Sequence, residues 1–219
     1  MAHILITSGP TRQYLDPVRF LTNASSGRMG AALAEAALSR GHQVTIVSGP
    51  VNIDYPEGAT VIPVVTTDDM LETCQDVFPE CDGVIGAAAP CDYRPVRIAS
   101  NKISKTGEPL ELHLVETLDV IATLAGNRLP RQWVVGFALE TEDQRFRALA
   151  KLERKSCDLI VLNGTSAMDS EINEVEVLDP TGATLGSFQG PKPIVARAIF
   201  NLVHRELLVP LLDPSGRTG

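Results

Sequence analysis

Four groups of residues in this chain have the types and spacing to hold an anion. The first lies in "SGPTRQYLDPVRFLTNASSGRMG", which gathers Arg12, Arg19, Asn23, Ser25, Ser26 and Arg28 behind a short apolar strand, Ile4–Thr7. Gly27 and Gly30 open the helix that follows, so free N–H groups stand ready for a phosphate and the backbone can come close. Open α/β sheets bind their ligands at this carboxyl end of the strands. A plain strand-to-helix connection takes roughly two to six residues. This one runs from Ser8 to Ser25.

The second group is "GAAAPCDYRP", where small residues at a strand end let a nucleotide lie on the backbone and Asp92 follows. Taken alone, it also reads as a buried strand stopped by proline, with Asp92 as its cap. The third, "NKISK", places Lys102 and Lys105 on an irregular loop. Flexible ammonium groups suit phosphate as point charges. The fourth is "GFALETED" and the helix behind it: Phe137 ends a strand, and Lys151 and Lys155 stand one turn apart. Like charges at that spacing repel by roughly a few tenths of a kcal/mol unless an anion lies between them. A core phenylalanine and a solvated lysine face are the plainer alternatives. Counted against a seam of Phe146, Leu149 and Ala150, both lysines face away from the core.

These groups need a frame, and the apolar pattern supplies one. Strands are expected at Ile4–Thr7, Gln43–Ser48, Thr60–Val65, Gly83–Ala89, Leu110–Val115, Trp133–Ala138 and Asp158–Leu162. Helices are expected at Ser26–Ser39, Thr67–Val77, Leu118–Ala125, Glu142–Lys155 and Pro191–Leu208. Alternation in that order predicts a Rossmann-like α/β fold, a mostly parallel sheet with helices on both faces. Ser25 or Ser26 is the expected N-cap of the first helix and Gly41 its stop. Val175–Leu185 reads as a C-terminal β-hairpin turning at Asp-Pro-Thr-Gly. Cys91–Gly107 reads as an aperiodic functional loop. On this reading residues 1–209 form one domain and 210–219 a tail.

Composition narrows the partners. A chain of 219 residues buries a sizeable core, and its net charge of −8 argues against nucleic acid, which calls for a basic face. An anionic ligand therefore requires the few cations to be concentrated locally. No apolar run nears the roughly 18 residues of a membrane span. No signal peptide is visible before the first strand, so a cytoplasmic protein is expected. Cys74, Cys81, Cys91 and Cys157 contain no C-x-x-C pair, and His3, His42, His113 and His204 do not cluster with them. Neither a protein metal site nor a disulfide framework is expected. Nothing resembles a Ser/His/Asp or Cys/His nucleophile.

Seven segments occur in a telling order: "ITSGPTRQYLDPVRFLTNASSGRMG", "AAAPCDYRP", "NKISK", "LDVIATLA", "GFALETED" with Lys151 and Lys155, "DLIVLN" and "SEINEVEVLD". Together they resemble the phosphopantothenoylcysteine synthetases, the second half of the bacterial bifunctional coenzyme A biosynthesis proteins. The resemblance runs from Ile6 to about Arg205. It implies a ligase that uses Mg²⁺ and CTP. The carboxylate of phosphopantothenate attacks the α-phosphorus of CTP and releases pyrophosphate; the amine of cysteine then displaces CMP from the acyl-cytidylate.

The resemblance also implies roles for the matching residues. Asn23 serves the second half-reaction and Lys102 the first. Ser26, Gly27, Asp92, Lys102, Leu118, Asp119, Val120, Ile121, Phe137, Lys151 and Lys155 bind the nucleotide, while Arg28, Ala88 and Lys105 bind the other substrate. A homodimer is implied, with Val175–Leu185 as a candidate pairing element. With no flavin decarboxylase half in the sequence, a separate decarboxylase is the expected partner. The chain departs from the family pattern in places. Ser104 stands where the loop usually has a lysine, Pro90 and Cys91 where small aliphatic residues are usual, and Leu118 where a proline is common. Arg28 replaces a lysine, which keeps charge but changes donor geometry. Two other readings stay open: a non-catalytic nucleotide-binding homologue, for which Ser104 is the hint, and an NAD(P)-dependent reductase. Against the reductase stand the missing G-x-G-x-x-G and the acid-free tip Ser48-Gly49-Pro50.

Overall fold

Long apolar runs become the buried strands of one sheet. In chain order the first half comprises β1 (His3–Ser8), β2 (Arg12–Tyr14), β3 (Phe20–Thr22), α1 (Arg28–Leu38), β4 (Gln43–Ser48), β5 (Thr60–Pro63), α2 (Thr67–Val77) and β6 (Gly83–Gly86). The second comprises β7 (Tyr93–Pro95), β8 (Leu114–Glu116), α3 (Val120–Gly126), β9 (Trp133–Leu139), α4 (Gln144–Arg154), β10 (Leu159–Asn163), β11 (Ile172–Leu178), β12 (Thr184–Pro191) and α5 (Lys192–Val203), which runs on into a π turn at His204–Leu208. This computed structural model describes residues 1–140, 142–164 and 172–209. Thr141, the Ser170-Glu171 start of "SEINEVEVLD" and the expected tail 210–219 lie outside the described residues.

The main sheet has the order β12-β11-β10-β9-β6-β1-β4-β5. From β5 to β10 every pairing is parallel; β11 and β12 add antiparallel at the end. Parallel strands are covered on both faces, which is why their sequences are almost wholly apolar. Ile4, Ile6, Ile46, Ile85 and Val135 point to one face, under Leu33 and Ala37 of α1 and Ile199 and Phe200 of α5. Leu5, Val47, Val84, Val134 and Ile160 point to the other, under Met70 of α2, Leu124 of α3 and Leu152 of α4. The Rossmann-like expectation holds, and so does the C-terminal hairpin, though its strands are longer than expected and belong to the main sheet. Asp179 shapes its turn by accepting from the N–H groups of Thr181 and Ala183, both at 2.9 Å.

Several expected boundaries move, each for a physical reason. Leu110–Val115 is not a member of the main sheet: only Leu114–Glu116 is strand, and it pairs antiparallel with β7 in a separate ribbon. Alternating Leu110, Leu112 and Leu114 mark extended chain but cannot say which strand it will meet. The long first connection is itself folded, with β2 and β3 pairing from Arg12–Thr22 to Tyr14–Phe20 and the Tyr14 and Phe20 rings edge-on at 5.5 Å.

Helix α1 starts at Arg28, and neither Ser25 nor Ser26 caps it; Gly27 is the N-cap at φ 74° with no side-chain cap bond. The helix is pressed onto the end of β1, where a Cβ on Gly30 would lie 2.2 Å from Ser8 Oγ. Reaching that position takes a left-handed step, which favours glycine. Leu118 lies before α3, whose N-cap is Asp119, accepting from the Ala122 N–H at 3.1 Å. On α4 the buried seam is Ala148 and Leu152, and Phe146 is 76% exposed.

Candidate functional site

In this strand order the chain leaves β1 first toward β4 and later crosses to β6, so the crevice at their carboxyl ends is the topological switch point. Two loops meet there. The Ala89 N–H donates to Gly9 O at 2.9 Å, and the Ala88 N–H to Thr7 Oγ1 at 3.3 Å. Asn23 Nδ2 donates to two carbonyls of the second loop, Ala89 O at 3.2 Å and Pro90 O at 2.8 Å. Two acceptors side by side fix the amide's orientation: its donors face the loop, leaving Oδ1 as the available acceptor.

The next residue, Cys91, is a hub of main-chain hydrogen bonds. Its N–H donates to Thr11 Oγ1 at 2.8 Å, and its carbonyl accepts from Thr67 Oγ1 at 3.1 Å and Thr117 Oγ1 at 2.7 Å. Thr11 and Thr67 are buried, so these hydroxyls are structural pins that brace the chain entering Asp92. Asp92 is exposed, and its carbonyl accepts from the Thr117 N–H at 2.9 Å, which ties it to the Leu118–Ile121 segment. Burial, with Asp92 nearby, pushes the Cys91 thiol above its ordinary range and outweighs the opposing contacts with the Thr11 side chain and the Asn23 main chain, so it is no thiolate nucleophile. Cys74, Cys81 and Cys157, also free and buried, are pushed up to about 12 by burial.

Beside this crossing lies a cavity of about 460 Å³ lined by Arg12, Ser25, Ser26, Arg28 and the segment Pro50–Ile53. Gly27 turns at its edge and starts α1. The Arg12 guanidinium sits 4.5 Å over the Phe20 ring, a cation–π contact that holds it at the rim. Two guanidinium groups, two hydroxyls and a helix N-terminus make an anion cradle. Ala88, assigned with Arg28 to the second substrate, packs half-buried against the α2–α3–α4 core layer.

On the opposite flank the expected nucleotide residues divide. Leu118 is 64% exposed, whereas Val120 and Ile121 are buried in the core, so those two can offer a ligand only main chain. Phe137 is half-buried against the α1–α5 core layer, which fits the core reading. Lys151 and Lys155 do not face away from the protein, as the assumed seam implied. They flank the true seam, and each meets a carboxylate: Lys151 Nζ lies 2.5 Å from Glu140 Oε1, and Lys155 Nζ 3.0 Å from Asp119 Oδ2. Burial pushes the Asp119 carboxyl up, but Lys155, the Ala122 N–H and Arg154 outweigh it and hold it below its ordinary value. Glu140 and Asp119 thus neutralise both cations. Glu140 was missed because a glutamate before a helix looks like an ordinary first-turn acid.

Lys102 and Lys105 are exposed, and neither appears in an ion pair among the described residues. Between them, Ile103 is bonded to the first long loop. Among the described residues no three His, Cys, Asp or Glu side chains gather as a metal site. No helix among them is long and apolar enough to cross a membrane.

Known proteins resemble this chain over most of its length. Residues 1–207 match the family model described as the DNA/pantothenate metabolism flavoprotein C-terminal domain. The chain is 45% identical over 166 residues to the coenzyme A biosynthesis bifunctional protein CoaBC of Bacillus subtilis, covering 75% of this chain and 41% of that protein. It is 38% identical over 203 residues to the same-named protein of Vibrio vulnificus, covering 91% of this chain and 50% of the relative. The chain therefore spans about half the length of these curated relatives. Among solved structures, the C-terminal domain of a CoaBC protein is 36% identical, with a TM-score of 0.79 over 95% of this chain and 96% of the other. This chain belongs to the family of DNA/pantothenate metabolism flavoprotein C-terminal domains.

Proposed function

We propose that this protein is a phosphopantothenate–cysteine ligase that activates its acid with CTP. One observation carries the reading: Asn23 is bonded across the switch point to the loop leading into Asp92, beside a cavity walled by two arginines and two serines. A nucleotide-binding loop and an amide suited to acyl transfer thereby share one crevice. Family membership supports the same chemistry.

In the first half-reaction an oxygen of the phosphopantothenate carboxylate bonds to the α-phosphorus of CTP as the bond to pyrophosphate breaks. Negative charge spreads over the phosphoryl oxygens, so fixed cations do most of the stabilising. Lys102, which has no carboxylate partner among the described residues, meets that charge; Asp92 and the main chain of Leu118–Ile121 hold the nucleotide. Magnesium, when bound, neutralises the leaving pyrophosphate. With no three potential ligands gathered among the described residues, it comes with the triphosphate, as such ions often do. In the second half-reaction the amine of cysteine attacks the acyl carbon, expelling CMP and a proton. Asn23 Oδ1 accepts an N–H of that amine and aims its lone pair. Cys91, held as a thiol, takes no part.

Incubation with phosphopantothenate, cysteine, CTP and Mg²⁺ should yield CMP and pyrophosphate in equal amounts with the amide. No nucleotide consumption would favour the non-catalytic homologue; release of AMP from ATP in place of CMP would overturn the CTP assignment.

The homodimer is part of this proposal, and we assign it a surface other than the Val175–Leu185 hairpin. The Val175–Leu185 hairpin is built into the main sheet, with Val175, Val177 and Leu178 buried. The β7–β8 ribbon and its flanks instead expose Val96, Ile98, Leu110, Leu114 and Val115 by 40% or more, and a lone two-stranded ribbon is marginal in water. A second copy covering it would also flank Lys102 and Lys105. Val115→Asp should shift the protein to monomer in sedimentation; an unchanged mass would move the contact elsewhere. A cytoplasmic setting fits the free thiols, and a decarboxylase acting on the product is the partner the relatives' bifunctional naming suggests.

A further inference from the structure

We propose that Asp16 is a positioning residue for the lysine loop: through the main chain of Ile103 it fixes where Lys102 stands. Asp16 is fully covered, on the turn between β2 and β3. Its Oδ1 accepts from the N–H groups of Val18 at 2.8 Å and Arg19 at 2.9 Å, which shapes its own turn. Its Oδ2 does something the turn does not need. It accepts from the Ile103 N–H at 3.0 Å, across a separation of 87 residues. Arg19 completes the clamp: its Nε lies 3.5 Å from Asp16 Oδ2 and its Nη2 donates to Ile103 O at 2.6 Å. Both polar main-chain groups of Ile103 are thus held by one ion pair on another loop. A second bond, from the Ala99 N–H to Leu15 O at 2.9 Å, draws the same segments together.

The chemistry explains the arrangement. A lysine ammonium rides on a flexible four-carbon stem, so its useful position depends on how firmly its own backbone is held. Hydrogen bonds to an ionised group are roughly twice as strong as neutral ones. Burial pushes the Asp16 carboxyl up, but the N–H groups of Ile103, Val18 and Arg19 and the Arg19 guanidinium outweigh it, so the group stays ionised. No carboxylate pairs with Lys102 itself among the described residues. The clamp therefore holds the loop by its backbone and leaves the ammonium charge for the ligand. Sequence pattern gave no sign of this, since Asp16 and Ile103 share no local spacing.

The inference rests on Lys102 acting on the nucleotide, and the tests separate the two. Asp16→Asn should lower kcat/KM for CTP by about tenfold or more, yet cost nothing further in a Lys102→Gln background. Additive losses in the double variant would overturn the proposal. Hydrogen exchange on the unaltered protein tests the clamp without any activity. The Ile103 amide should exchange at least about tenfold more slowly than those of Ser104 and Lys105, and equal rates would overturn it even where Asp16→Asn fails to fold. Full activity in Lys102→Gln, with Ile103 protected, would instead remove the lysine from the ligase site and leave the clamp a structural tie.

Discussion

Two pairs of lysines expected at one site are held in opposite ways. On α4, Lys151 and Lys155 lie 2.5 and 3.0 Å from Glu140 and Asp119, their charges already answered. On the loop, Lys102 and Lys105 have no carboxylate among the described residues, and the protein grips the main chain between them instead. In a chain of net charge −8, the 19 lysines and arginines are outnumbered by 27 acids. A phosphate reaching Lys151 or Lys155 must first strip the partner from a carboxylate that is buried (Glu140) or half-buried (Asp119), leaving it poorly solvated. A phosphate reaching the loop displaces only water. The first pair is therefore already matched by carboxylates, and on the ligase reading proposed above the second offers its charge to the nucleotide at lower cost.

The most severe break in this contrast is Lys102→Gln. It should slow pyrophosphate formation by about a hundredfold or more, the usual scale for removing one charge-stabilising donor, while leaving thermal stability unchanged. A thermal shift with normal turnover would reverse the two roles. Next is Lys151→Met, which strands Glu140, 9% exposed. A loss of about 2–3 kcal/mol in urea unfolding is expected, and adding Glu140→Gln should recover most of it. Failure of that rescue would mean the pair is not what holds the β9–α4 junction.

Lys155→Met should cost less, about 1 kcal/mol, because Asp119 is 35% exposed and keeps its capping bond to Ala122. It carries a pH signature. Asp119 titrates below its unfolded value, so its contribution is present above about pH 4 and is lost as pH falls through the folded value. Unfolding free energies between pH 5 and 3 should fall less steeply in Lys155→Met, and identical slopes would detach Lys155 from Asp119. The smallest effect belongs to Lys105→Gln, a few-fold rise in KM for the nucleotide that shrinks with added salt. A salt-independent change would point to loop shape instead of charge.

The same contrast shows what the sequence could tell. The parallel sheet was legible because buried strands read as apolar runs whose only uncertainty is length: Gln43–Ser48 and Thr67–Val77 coincide with β4 and α2, while Gly83–Ala89 overran β6 by three residues because alanines extend an apolar run without extending the ladder. The candidate site was readable only as short motifs, and the structure joins two of them by bonding Asn23 to the loop that leads into Asp92. It was not legible where function depends on pairing across the chain. The β2–β3 and β7–β8 ribbons join segments too short to show a period, and the Cys91 hub and the Asp16–Ile103 bond link residues 80 and 87 apart, which no local period records. Helix α4 failed differently: Phe146 and Leu149 invite a seam, yet the buried line is Ala148 and Leu152, and the lysines turned with it toward Glu140 and Asp119.

The central claim is that one crevice makes a mixed anhydride with its free cations and then hands it to an amine at Asn23. Rapid quenching of the protein with phosphopantothenate, CTP and Mg²⁺ but no cysteine tests it most directly. The account predicts a burst of one pyrophosphate per site with the acyl-cytidylate retained, and CMP released only when cysteine is added. Pyrophosphate that appears only in the presence of cysteine, or CMP that appears without it at the same rate, would contradict it.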